Sequence, residues 1–144
     1  MVLDPVVVEK IKALKIDPFG GIQPNILIKL PNRNPDTNFK VVLKTEEFTS
    51  LCPLSQSQPD YAFLLIVYCP DKWVVELKSF KLYLVSYRNA EIFHEEVSAT
   101  ILKHLTELLE PRWLKVVGKF STRGGIDTEV VANYGKGLPK DEER

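Results

Sequence analysis

Tyr61-Ala62-Phe63-Leu64-Leu65-Ile66-Val67-Tyr68-Cys69 is the longest apolar run in the chain. It is rich in aromatic and β-branched residues and apolar on both faces, which predicts a central strand. Pro70-Asp71-Lys72 closes it as a turn, and Trp73-Val74-Val75-Glu76 continues extended, so the two read as a hairpin. Upstream, Phe39 to Lys44 reads as a strand, and Glu46 to Gln58, with its excess of Ser, Pro and Gln, reads as a loop. Downstream, Leu77 to Arg88 fits two periods. Phe80, Leu82, Leu84 and Tyr87 partly alternate, while Leu77, Phe80, Leu84 and Tyr87 recur at helical spacing.

The flanks are clearer. Val97, Ile101, Leu105 and Leu108 line one face of a helix over His94 to Leu109, with Glu95 and Glu96 in the first turn, where the helix dipole favours them. Pro111 ends that helix. Trp113 to Phe120 and Ile126 to Ala132 read as strands joined by Ser121-Thr122-Arg123-Gly124-Gly125. At the other end, Asp4-Pro5 starts a short helix over about residues 5–15. Gly20-Gly21 breaks it, Gln23 to Leu30 is extended or irregular, and residues 31–37 are turn chemistry. There is no internal repeat and no low-complexity tract. The order hairpin, helical middle, hairpin predicts an α+β domain, a four-stranded antiparallel sheet covered on one face by helices.

Composition bounds the function. The chain has 144 residues, one domain's worth, with 19 basic and 19 acidic side chains. Zero net charge argues against a bulk electrostatic grip on nucleic acid, so no direct nucleic-acid partner is expected. The apolar run at 61–69 is far short of a membrane span, and Met-Val-Leu-Asp-Pro is no signal peptide, so no membrane is expected. Two cysteines do not make a disulfide scaffold, and the default setting is reducing and cytoplasmic. A zinc site would need nearly every soft ligand in the chain, and no metal is expected.

Several residues stand out, each with an ordinary reading beside a chemical one. Cys52, in a Pro-flanked loop beside hydroxyl residues, is either a nucleophile or a small buried hydrophobe. Asp60 either ends a turn or donates a proton at the strand entry. His94 with Glu95 offers an acid–base imidazole beside an acceptor-only carboxylate, suited to a guanine-like edge with two adjacent N–H donors. The ordinary reading makes Glu95 a first-turn acid. Lys78 and Lys81 are a solvated face or a phosphate grip. Arg123-Gly124-Gly125 is a hairpin turn or an anion cradle. His104, mid-helix, reads as structural.

Phe48-Thr-Ser-Leu-Cys-Pro-Leu54, Gln58-Pro-Asp60, Glu76-Leu-Lys-Ser-Phe-Lys-Leu-Tyr83, Ser86-Tyr-Arg-Asn89, Phe93-His-Glu95 and Gly118-Lys-Phe-Ser-Thr-Arg-Gly-Gly125 occur in that order. From about Asn38 to Gly135 the chain resembles the short, single-module form of the 7-cyano-7-deazaguanine reductases, the nitrile reductases of queuosine biosynthesis. The resemblance implies the tunnelling fold, an antiparallel sheet with two helices on one face, assembled into rings, and a helix beginning after Glu76. It divides the chain into an N-terminal extension (1–37), the reductase domain (38–135) and a tail (136–144). It implies a four-electron reduction of a nitrile to a primary amine with two NADPH. Cys52 would add to the nitrile carbon to give a thioimide, Asp60 would protonate its nitrogen, and His94 would assist proton transfer.

Substrate contacts are implied for Val75, Glu76, Leu77, His94 and Glu95. NADPH contacts are implied for Leu77, Lys78, Arg123 and Gly124, with Lys81 an addition. The implied assembly is a homo-oligomer with active sites between subunits, a decamer of two pentamers. The chain departs from most such proteins by one extra residue between Cys52 and Asp60. Two rivals remain: the archaeal amidinotransferase, which adds ammonia to the same nitrile in tRNA without NADPH, and a non-catalytic purine-binding module. GTP cyclohydrolase shares the fold but needs zinc ligands that this chain lacks.

Overall fold

The computed structural model describes residues 3–55 and 58–139. Its main layer is a four-stranded antiparallel sheet in the order β2-β3-β5-β6, formed by β2 (Val41–Leu51), β3 (Pro59–Cys69), β5 (Trp113–Arg123) and β6 (Ile126–Gly135). A second, two-stranded sheet joins β1 (Lys29–Pro31) to β4 (Trp73–Val75). The helices are α1 (Pro5–Lys12), α2 (Leu77–Val85) and α3 (His94–Leu109), with a single 3₁₀ turn at Pro24–Ile26.

The apolar run is central. β3 pairs with β2 on one edge and β5 on the other, with Ala62 opposite Phe120 and Tyr68 opposite Leu114. This overturns the hairpin expected between Tyr61–Cys69 and Trp73–Glu76. Both edges of β3 are taken by long strands, so β4 finds its partner elsewhere, with Lys29 opposite Val75 and Pro31 opposite Trp73. The loop expected over Glu46–Gln58 is also shorter than read. β2 runs on to Leu51 through a bulge between Thr45 and Phe48. Its polar residues face out from an edge strand, while Phe48 and Ser50 are buried. The helix expected over about 5–15 ends at Lys12.

The two-period stretch after Glu76 is a helix. The Glu76 carboxylate caps it, accepting from the Lys78 amide at 2.8 Å and the Ser79 amide at 2.7 Å. One face of α2 buries Phe80, Tyr83 and Leu84. α3 buries Val97, Ile101, Leu105 and Leu109, which meet Leu64, Ile66, Leu114 and Val116 from the sheet. Each such side chain contributes about 1.5–3 kcal/mol by leaving water. Ile26 and Leu27 join this core, and Ser79 Oγ accepts from the Ile28 amide at 3.0 Å, so residues of the N-terminal extension pack into the domain. α1 buries none of its own residues.

β5 and β6 are joined by a two-residue turn in which Gly124 and Gly125 have φ of 57° and 75°. Both values lie in the left-handed region that a type I′ hairpin demands and that glycine reaches without strain. That tight turn carries β5 out to Arg123, beyond the sheet's last regular pair. Among the described residues, no helix is long and apolar enough to cross a membrane.

Candidate active site

The side chains of Asp60, His94 and Arg123 meet at one end of the sheet, beside the strand end that carries Cys52, and each residue is placed by an element boundary. Cys52 follows the last residue of β2. Leu51 before it is held on two sides, opposite Pro59 in the ladder and bonded to the 90–92 segment (Leu51 N–H to Ala90 O at 2.9 Å, Ile92 N–H to Leu51 O at 3.1 Å). The Cys52 amide donates to Gln58 O at 3.1 Å, closing the loop at its neck. The cysteine itself is half-buried and free.

Asp60 is the second residue of β3 and only 3% exposed. Its Oδ2 lies 3.2 Å from His94 Nε2. His94 is the first residue of α3, and its ring stacks on Phe120 with centroids 4.0 Å apart and planes 9° apart. That stack fixes the plane of the imidazole and aims Nε2 at the carboxylate. On the other side, Arg123 Nη2 lies 2.5 Å from Asp60 Oδ1 and donates a hydrogen bond to Pro59 O at 2.6 Å. The aligned hydrogen bond goes to Pro59; the contact with Oδ1 is an ion pair, and Oδ1 has no hydrogen-bond partner among the described residues.

The structure thus brings together Cys52, Asp60, His94 and Arg123. Arg123, expected from its motif as a cofactor contact, has its guanidinium on the buried carboxylate. Antiparallel register explains this: continuing the ladder from Ala62 opposite Phe120 brings Arg123 across from Pro59. Glu95 is exposed in the first turn of α3, beside His94. Gly124 lies in the adjoining turn. Phe120 escaped the sequence reading as a site residue, although its place on β5, three residues before Arg123, carried the information.

The other expected contacts lie elsewhere. Val75 is buried, and its amide donates to Tyr68 Oη at 3.1 Å. Burial pushes the Tyr68 phenol up, and the Val75 amide partly offsets this. Tyr68 is eight residues beyond Asp60 on β3, about 25 Å along the strand. Glu76 and Leu77 follow Val75 directly. Leu77 and Lys81 line a groove of about 410 Å³ between β2 and α2, floored by Phe48, Phe80 and Leu84 and rimmed by Lys44 and Arg88. Lys78 turns away from this groove. Its ammonium donates to Ile11 O at 3.0 Å and Lys12 O at 3.3 Å, the carbonyls that end α1.

The order of these pieces along the chain is shared with known proteins. The family model described as QueF-like protein matches residues 59–138. The chain belongs to this family. A relative from Exiguobacterium sibiricum is 50% identical over 114 residues, covering 79% of this chain and 70% of its own, and is named NADPH-dependent 7-cyano-7-deazaguanine reductase. A relative of the same name from Thermomicrobium roseum is 49% identical over 108 residues, covering 75% of this chain and 84% of its own. Among solved structures, the apo form of the archaeosine synthase QueF-Like superposes with a TM-score of 0.62 at 34% identity, covering 69% of this chain and 96% of that one. Family membership and fold therefore agree with the α+β tunnelling-fold expectation.

Proposed function

We propose that this chain reduces the nitrile of 7-cyano-7-deazaguanine to the primary amine, using NADPH. The observation that carries the reading is the buried Asp60 carboxyl beside His94, one ladder step from the strand end that presents Cys52. A nitrile carbon is electrophilic but a poor hydride acceptor. Cys52 thiolate forms a C–S bond to that carbon, the displaced π pair moves to nitrogen, and nitrogen takes a proton from Asp60. The product is a thioimide, a far better hydride acceptor. His94 Nε2, 3.2 Å from Oδ2 and one-fifth exposed, returns a proton from the solvent side.

NADPH, when bound, supplies the two hydrides that take a nitrile to an amine. Between them, Cys52 leaves as thiolate and Asp60, reloaded through His94, protonates the nitrogen again. The groove between β2 and α2 suits such a cofactor: Lys44, Lys81 and Arg88 offer cations for phosphates, and Leu77, Phe80 and Leu84 offer apolar surface for a ring. Glu95, exposed beside the catalytic cluster, accepts the paired N–H donors of the deazaguanine ring.

The chain works as a ring-forming homo-oligomer. Its proposed substrate contacts at Val75–Leu77 lie about 25 Å along β3 from Asp60, too far to meet around one small ring system. A neighbouring copy brings its own Val75–Leu77 to this chain's Cys52 and Asp60. β2 and β6 are the outer strands of the four-stranded sheet and the edges available for that union. A cytoplasmic location suits the two thiols. Cys52 and Cys69 sit at opposite ends of β3, too far apart for a disulfide.

The amidinotransferase shares the covalent step, and the archaeosine synthase likeness keeps it as the second reading. Incubation with the nitrile alone should add the whole substrate mass to the wild type and to Cys69→Ser, and nothing to Cys52→Ala. Addition of NADPH should then reduce the adduct, with oxidation of NADPH, and release amine. An adduct that never oxidises NADPH but yields amidine with ammonia and tRNA would reverse the assignment.

A further inference from the structure

Two buried side-chain atoms lack a hydrogen-bond partner among the described residues, Ser50 Oγ and Asp60 Oδ1. They belong to residues directly opposite one another in the β2–β3 ladder. Opposed side chains share a face of the sheet, with Cβ atoms about 4.5–5.5 Å apart. Both are shielded from water, Ser50 at 0% exposure and Asp60 at 3%. A hydroxyl always has a proton to give, and a carboxylate oxygen can only accept. Two unpaired, complementary atoms at adjacent sealed positions are each other's natural partner, since leaving either unmade is costly. Arg123 Nη2 also lies against Oδ1, at 2.5 Å, and a carboxylate oxygen has a second lone pair for the hydroxyl. His94 takes Oδ2, and the aligned hydrogen bond of Arg123 goes to Pro59.

We propose that Ser50 donates its hydroxyl to Asp60 Oδ1 and is a positioning residue for the proton donor. The inference rests on Asp60 acting as that donor. With Ser50 and Arg123 both on Oδ1, the transferable proton resides on Oδ2, the oxygen beside His94. Ser50 also stands two residues before Cys52, which directly follows the end of the same strand, so the ladder that positions the nucleophile positions the acid as well.

The test is adduct formation with 7-cyano-7-deazaguanine in the absence of NADPH, followed by mass, together with thermal unfolding. Ser50→Ala should slow the adduct about tenfold at saturating nitrile, the loss of one hydrogen bond to a charged group, while the half-saturating concentration stays within about twofold. It should also lower the melting temperature. In an Asp60→Ala background, which removes the acceptor oxygen as well as the proton, the same change should slow the adduct less than about twofold, because the two residues act as one unit. A purely packing role would move the melting temperature equally in both backgrounds and leave the rate alone. Wild-type adduct rate in Ser50→Ala with an unchanged or higher melting temperature would overturn the proposal. So would multiplicative rate losses in the double variant. Should wild type form no adduct at all, the functional reading fails instead, and the melting temperatures of the four variants still decide the Ser50–Asp60 contact.

Discussion

Arg123→Ala separates two roles for one guanidinium. The motif points to cofactor phosphate, while the structure puts Nη2 2.5 Å from Asp60 Oδ1. In the proposed step, each proton that Asp60 gives away leaves a carboxylate in a site where its side chain is 4% exposed. Removing the partner of a fully buried charge costs about 3–5 kcal/mol. Arg123 is itself 40% exposed, so water replaces part of what it supplies, and about 1.5 kcal/mol is the reasonable loss. Because that charge develops as the nitrile nitrogen is protonated, the loss falls on the covalent step and amounts to about tenfold in rate. The assay is single-turnover adduct formation by mass, with nitrile in excess and no NADPH present. Arg123→Lys, which keeps the charge but not the fork, should fall between wild type and Arg123→Ala. A wild-type adduct rate in Arg123→Ala, with only the NADPH Michaelis constant raised, would refute the Asp60 role.

Three further outcomes follow from other parts of the molecule. A methyl group on Gly118 would lie 2.9 Å from the Phe120 ring and 3.0 Å from Ser98 Oγ, so Gly118→Ala should cost about 1–3 kcal/mol in stability and slow the adduct by disturbing the ring under His94, both read on one preparation. Burial holds the His104 imidazole below its ordinary value, with Lys103 adding to this and Glu107 opposing it. The unfolded chain therefore takes up that proton first, so this stability is complete above about pH 6.5 and is lost as pH falls below it. His104→Gln should flatten the fall in melting temperature between pH 7 and 5 relative to wild type, and parallel curves would contradict the assignment. Glu76→Ala removes the cap of α2 and should cost about 1 kcal/mol in denaturant unfolding, with Glu76→Asp losing less.

Much of the fold was legible because its strongest elements carry a single period. α3 begins and ends where its stripe and Pro111 place it, and β3 shows its central position in a run apolar on both faces. Leu77–Arg88 was not legible because its apolar residues satisfy both periods; the Glu76 cap, a three-dimensional fact, decides it. The second half of β2 hid behind polar residues that an edge strand turns to water. The partner of β4 depended on which strand edges were already occupied, a property of the whole sheet. At the site, Cys52, Asp60 and His94 were legible as parts of ordered motifs. The Arg123 and Ser50 contacts were not, because each arises from strand register between segments that local pattern treats separately.

The neck of the Cys52 loop has a bearing on how such a protein can vary. Leu51 opposite Pro59, Ser50 opposite Asp60 and the Cys52–Gln58 hydrogen bond tie Cys52 and Asp60 to the sheet rather than to each other through the loop. Chain length between them is mechanically isolated from the distance that the chemistry uses. Outside the neck, loop length costs little entropy. The loop's length is a free parameter for an engineer: a tag or surface anchor spliced between Pro53 and Ser55 leaves Cys52 and Asp60 held in register by the neck.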